Sequence, residues 1–152
     1  MEPLIRKIIL ATDFSESSRD ASYHALLLAQ TYNAELKALH VFEPRPLGIP
    51  YSKPKKNGRI HEDLEKTRQR GKDMLKELAD SFDVEADTIF AEGHPGPEIT
   101  RIAAELNTDL LILGTHGYTG WNRFTIGSVA EFVVRHAPCA VLTIKPTDRD
   151  KK

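Results

Sequence analysis

Between Gly114 and Ser128 the chain reads GTHGYTGWNRFTIGS, directly after the apolar run Leu110-Leu111-Ile112-Leu113. Glycines let backbone N–H groups approach an anion with no Cβ in the way, and they permit the positive-φ conformations of an anion-binding nest. Gly127-Ser128 stands where the last helical pattern starts, so free N–H groups and the positive end of a helix dipole would face the same ligand. Arg123 adds a charge and Ser128 a hydroxyl. A second stretch, Ala11-Thr12-Asp13-Phe14-Ser15, closes an apolar run near the N-terminus and carries a carboxylate, a group that accepts hydrogen bonds from sugar hydroxyls. Together these residues suggest a nucleotide, its ribose near Asp13 and its phosphates along Gly117 and Gly127-Ser128. Each piece also has a plainer reading, in which Asp13 supports the turn into a helix and Ser128 caps one. The loop is no Walker A, lacking the Gly-Lys-Ser/Thr ending, and it is not G-x-G-x-x-G.

Positioning these residues falls to an alternation of short apolar runs and helical patterns. Lys7-Ile8-Ile9-Leu10-Ala11 reads as a first strand, and Ser15 suits the N-cap of a helix with Ala21, Ala25, Leu28, Ala29 and Tyr32 on one face. Glu35 to Phe42 reads as a second strand. Residues 59–82 carry Ile60, Leu64, Gly71, Leu75, Leu78 and Phe82 at helical spacing; Gly71 costs helix propensity there, for which close packing on a sheet is the expected reason. Ala86 to Ala91 gives a weaker third strand. After the turn Gly93-His94-Pro95-Gly96-Pro97 comes a short helix with Ile99, Ile102, Ala103 and Leu106 inward. Asp109 to Gly114 is the fourth strand and Cys139 to Ile144 the fifth. Between them, a helix near 127–136 offers Val129, Phe132, Val133 and His136 as its apolar stripe.

This rhythm implies parallel strands joined by right-handed crossovers: a doubly wound, open five-stranded α/β sheet with helices on both faces. Strands one, four and five are continuous apolar runs, as strands buried on both faces should be. At 152 residues, with 40% apolar and 28% charged side chains, the chain reads as one soluble globular domain over residues 1–152. A net charge of -1 gives no reason to expect nucleic acid, and no stretch is long and apolar enough to cross a bilayer. The N-terminus lacks a signal-peptide pattern, and the single cysteine, Cys139, suits a reducing cytoplasm and a place in the core. Residues 43–58, with four prolines and four basic residues, read as a surface loop, or less simply as a lid with Arg45, Lys53, Lys55 or Lys56 near phosphates. If the first strand is central and the fourth lies on its other side, the switch point between them faces Ala11–Ser15 toward the glycine loop, and ligands of open sheets bind at such points.

The pattern Gly114-x2-Gly117-x9-Gly127-Ser128 after a fourth strand resembles the nucleotide loop of the universal stress protein family. Ala11–Ser15, His40-Val41-Phe42 and Pro138-Cys139-Ala140-Val141-Leu142 are also similar to that family, and the resemblance covers nearly the whole chain. It implies the sheet order 3-2-1-4-5 and a place in the ATP-binding branch. It also implies ribose at Asp13 and adenine at the Val41 backbone, with Thr12 beside the adenosine. Gly114, Gly117, Gly127 and Ser128 would line the phosphate path, with His116 and Val129 next to it. A homodimer through 140–144 and a role in stress adaptation are implied as well. Ala11 departs from the proline of some relatives.

Catalysis has thinner support. Asp13 is occupied if it holds ribose, and His116 in a glycine loop is more often a wall than a general base. His24 and His61 sit on helices, and no histidine pair has metal-ligand spacing with a carboxylate, although Mg²⁺ can arrive with phosphates. The expectation is an adenine-nucleotide-binding regulatory protein that takes ATP, ADP or AMP. Two alternatives stand beside it: a slow Mg-dependent ATPase or phosphoryl transferase, and an interaction or chaperone-like module with a structural glycine loop.

Overall fold

Burial on both faces of the central strands explains why the chain folds as two layers of helix around one sheet. In β1 (Lys7–Ala11), Ile8 and Leu10 point to one face and Ile9 and Ala11 to the other, and all four are buried. The computed structural model describes residues 2–44, 59–116 and 126–147, and only the backbone of residues 59–63. The remaining elements are α1 (Glu16–Tyr32), β2 (Glu35–Phe42), α2 (Arg59–Asp80), β3 (Ala86–Glu92), α3 (Pro95–Glu105), β4 (Leu110–Gly114), α4 (Ser128–His136) and β5 (Ala140–Ile144). The strands pair in parallel in the order β3-β2-β1-β4-β5, as expected. Of the segment 43–58, residues 45–58 lie outside the described residues.

One core joins Ile9, Leu39, Val41, Leu111 and Leu113 of the sheet to Ile99, Ile102 and Ala103 of α3 and to Ala130 and Val133 of α4. The other joins Ile8, Leu10, Leu36, Leu110 and Ile112 to Ala21, Ala25 and Ala29 of α1, with Leu78 of α2 against it. Each fully buried Leu or Ile contributes about 1.5–3 kcal/mol of transfer free energy. The sheet-facing stripe of α1 is made of small residues, including buried Ser17, Ser18 and Ser22, so this helix lies close to the strands. Gly71 behaves as its sequence position suggests. A Cβ there would come within 3.1 Å of Phe90 Cε2 and 3.5 Å of His40 Cδ2, so α2 meets β2 and β3 at this residue.

Several expectations need correction. Helix α3 begins at Pro95, so Pro95-Gly96-Pro97 is its first turn and not the turn before it. Proline is compatible with a first helical turn because those N–H groups have no intrahelical acceptor. Gly96 is buried because a Cβ would fall 2.8 Å from Phe132 Cδ1, at the contact of α3 with α4. Tyr32 is 40% exposed. His136 is exposed and stacks on Phe132 at 4.1 Å, while Ala130 takes the buried place in α4. Strand β5 is not buried on both faces: it ends the sheet, and of its residues only Ile144 is fully buried. Cys139 precedes the strand, half-buried against the first core, and burial pushes its thiol up.

Two charged contacts fix the ends of the sheet. Asp109 Oδ2 accepts from both the Arg6 and Lys7 N–H groups at 2.9 Å, tying the start of β1 to β4. These bonds, the one from Arg6 foremost, hold the carboxyl below the usual range. At the edge strand β3, Arg68 of α2 pairs with Glu92, the last residue of that strand, and lies over the Phe42 ring.

Candidate functional site

Strand β1 ends in Thr12-Asp13-Phe14-Ser15, and Phe14 adopts a left-handed φ of 64°, which turns the chain sharply into α1. Non-glycine residues pay a steric penalty in this region, and the surroundings hold Phe14 there. Its N–H donates to Thr12 Oγ1 at 3.0 Å, and its ring lies 4.5 Å from that of His40. Ser15 is the N-cap of α1 and accepts from the Ser18 N–H. Asp13 is exposed; its Oδ1 accepts from the Ser15 N–H at 2.9 Å and from Ser18 Oγ–H at 2.7 Å. The turn-supporting reading of Asp13 is therefore true of one oxygen. Oδ2 has no partner among the described residues.

The facing wall comes from β4 and α4. Gly114 ends β4 against Ser17, where a Cβ would stand 2.4 Å from Ser17 Oγ, so this glycine is required by helix packing. Thr115 is a junction: its N–H donates to Ile144 O at 2.9 Å and its carbonyl accepts from the Gly127 N–H at 2.6 Å. Ser15 Oγ reaches the His116 carbonyl at 3.4 Å, which joins the β1 turn to the loop. His116 is half-buried, with its Nδ1 2.7 Å from Thr115 Oγ1. Gly127, not Ser128, is the N-cap of α4, and as a glycine it offers no side-chain cap. Ser128 is the exposed first helical residue, Val129 is half-buried against the core, and Glu131 of the first turn pairs with Arg135. Gly117 and Arg123 lie outside the described residues.

Val41 sits near the carboxyl end of β2, its side chain 8% exposed in the first core. Leu39 O accepts from the Thr12 N–H and Phe42 O from the Gly93 N–H. Strand alternation therefore turns the Val41 N–H and C=O toward β1, one step beyond where β1 ends. Thr12, Asp13 and the Val41 backbone thus stand at the carboxyl ends of β1 and β2, and the Ser15–His116 contact brings the β1 turn beside the chain that leaves β4. A cleft of about 300 Å³ between α1 and α2 is lined by Thr12, Phe14, Ser15 and Ser18 of the β1 turn and by Arg19, Met74, Glu77 and Leu78, and includes none of Asp13, Val41 or Ser128.

His40 was read from sequence only as a strand end, yet it supports the turn. Its Nδ1 lies 2.8 Å from the Thr12 carbonyl, which can only accept, so Nδ1 carries the proton. Burial pushes this imidazole below its ordinary 6.5, against the opposing pull of the Thr12 carbonyl and the Asp13 charge. Above pH 6.5 the ring is neutral folded and unfolded, and its contribution is complete. Below 6.5 the unfolded chain takes up the proton first, so stability falls until the folded pKa is passed. Urea unfolding at stepped pH is expected to show this loss in the wild type and a shallower slope in His40→Gln; equal slopes would mean that His40 is not held neutral. Sequence reasoning also missed Ser18, for which the spacing Asp13-x-Ser15-x-x-Ser18 was the available signal.

Comparison with known proteins agrees with this architecture. The universal stress protein family profile matches residues 4–145. Universal stress protein MJ0531 of Methanocaldococcus jannaschii is 35% identical over 150 residues, covering 98% of this chain and 87% of the relative. Among solved structures, universal stress protein UspA from Lactobacillus plantarum superimposes with a TM-score of 0.76 at 28% identity, over 92% of this chain and 97% of the other. The M. jannaschii protein MJ0577 gives 0.81 at 26%, over 95% and 99%. With the sheet order 3-2-1-4-5 and a family match over nearly its whole length, the chain belongs to the universal stress protein family.

Proposed function

We propose that this protein binds an adenine nucleotide (ATP, ADP or AMP) in the crevice between the β1 turn and the start of α4, as a regulatory protein of the stress response. The observation that carries the reading is that, beside the β1–β4 pair, the exposed carboxylate of Asp13 keeps one oxygen without a partner among the described residues, while α4 has as its N-cap Gly127, with no side chain to offer. A carboxylate suits ribose hydroxyls and an uncapped helix start suits phosphate. The Val41 backbone, turned toward the same crevice, suits the adenine edge, with Thr12 beside it. His116, Gly117, Arg123, Gly127, Ser128 and Val129 complete the phosphate path in this reading. Two structures of the same fold are described as a universal stress protein with cAMP and an Arabidopsis thaliana family protein with AMP, at TM-scores of 0.62 and 0.61. Their identities of 21% and 22% speak for the fold alone.

Among the described residues no three His, Cys, Asp or Glu side chains converge on a metal site, so Mg²⁺ would enter with the phosphates. Among them, too, no helix is long and apolar enough to cross a membrane. The reading includes a single folded unit over 1–152 and a homodimer through β5, whose half-exposed Val141, Leu142 and Thr143 lie on a sheet edge with one neighbour. The test is mass spectrometry of small molecules released from denatured protein, followed by calorimetry with ATP and Mg²⁺ and by light scattering for the dimer mass. Nucleotide near one per chain supports binding, and its species reports hydrolysis. An empty protein that also gives no heat with millimolar ATP sinks the reading.

A further inference from the structure

In an ordinary capping box, the side chain of the third helical residue reaches back to the N–H of the N-cap. Here that N–H, on Ser15, is taken by Asp13 Oδ1, and the third residue, Ser18, instead holds Asp13 itself. Ser18 is 5% exposed, and its bond to Oδ1 measures 2.7 Å. Its oxygen also accepts from the Asp13 N–H at 3.3 Å and lies 3.3 Å from Ser15 Oγ, whose single proton it shares with the His116 carbonyl. The turn would be served by the Ser15 N–H alone. A second bond on the same oxygen narrows the freedom of the carboxylate and leaves Oδ2 without a partner among the described residues.

We propose that Ser18 is a positioning residue that aims Asp13 Oδ2 at a ribose hydroxyl, so that this buried serine sets the preference of the site for ribonucleotides over deoxyribonucleotides. The inference rests on the nucleotide reading given above. Ser18 never touches the ligand. A carboxylate held in place loses little rotamer freedom on binding, and a hydroxyl facing it makes a charge-assisted bond that a deoxy sugar cannot.

Calorimetry with ATP, 2′-deoxy-ATP and 3′-deoxy-ATP tests it on the full chain. The wild type is expected to bind ATP about tenfold more tightly than the analogue lacking the recognised hydroxyl. In Ser18→Ala that ratio falls toward one, through weaker ATP binding at unchanged affinity for the analogue. Ser18→Thr, which keeps the hydroxyl, retains the ratio even if its added methyl lowers the melting temperature. With Asp13 already changed to Asn, Ser18→Ala has no further effect on the ratio. A wild type that binds ATP without discrimination, or a Ser18→Ala variant that discriminates as well as the wild type, overturns the inference and leaves the nucleotide reading standing. A wild type that binds none of the three overturns both.

Discussion

Gly114→Ala is expected to lower the unfolding free energy by about 3 kcal/mol and the melting temperature by about 6–12 °C for a chain of this size. The added Cβ would stand 2.4 Å from Ser17 Oγ and 2.8 Å from the Ser17 carbonyl carbon. Neither atom can give way easily. The hydroxyl donates to Ile144 O at 3.1 Å, and the carbonyl belongs to the first turn of α1. Relief requires α1 to lift from the end of β4, which disturbs the Ser15 cap and the Ser17 tie to β5 together. Thermal and urea unfolding measure the effect, with Gly71→Ala as the comparison, since its nearest contact of 3.1 Å is a ring edge. A Gly114→Ala protein melting within 2 °C of the wild type, as a threshold of roughly half a kcal/mol, would show that α1 does not seat on β4 as described.

Asp13→Asn is expected to weaken ATP binding by about 10–100-fold at little cost in stability. Asparagine keeps an oxygen for the Ser15 N–H and Ser18 hydroxyl, so the turn survives. It replaces the outward Oδ2 with an NH₂ group that has no charge and cannot accept. A hydrogen bond to a charged group contributes about 1.5–3 kcal/mol, which converts to that range of affinity. Unfolding should change by less than about 1 kcal/mol, because Asp13 is exposed and one of its oxygens is retained in kind. Undiminished ATP affinity in this variant would reduce Asp13 to a turn residue. Turnover lost at unchanged affinity would instead favour the ATPase or phosphoryl-transfer alternative.

The layering of the fold was legible because it depends on hydrophobic period. Ile8 to Ala11 and Leu110 to Leu113 are apolar on both sides of the pleat, and only a sheet covered twice buries them so. Gly71 was legible for a similar reason, since its cost in a helix demanded a neighbour. What escaped was set by neighbours distant in sequence. Gly114 falls within a nucleotide-loop pattern, yet its missing side chain answers to Ser17, ninety-seven positions earlier. Phe14 carries no mark of its positive φ, because the His40 ring and the Thr12 hydroxyl hold it there. Tyr32 and His136 lie at the last turns of their helices, where the apolar stripe runs past the sheet. Pro95 and Pro97 read as part of the turn before α3, although the first turn of a helix tolerates them. At the site, the residue types pointed to the crevice, while the division of labour between the two oxygens of Asp13 required coordinates.

Thr115 gives the chain a boundary between what it must keep and what it can change. With β5 fastened through the Thr115 N–H and α4 fastened through its carbonyl, the route from sheet to last helix closes on one residue. Because Thr115 and Gly127 are already held together, lengthening the chain between these two anchors would add only a slowly growing entropic term. Descendants of this sequence can therefore vary the length between these two anchors at small entropic cost to the folded state.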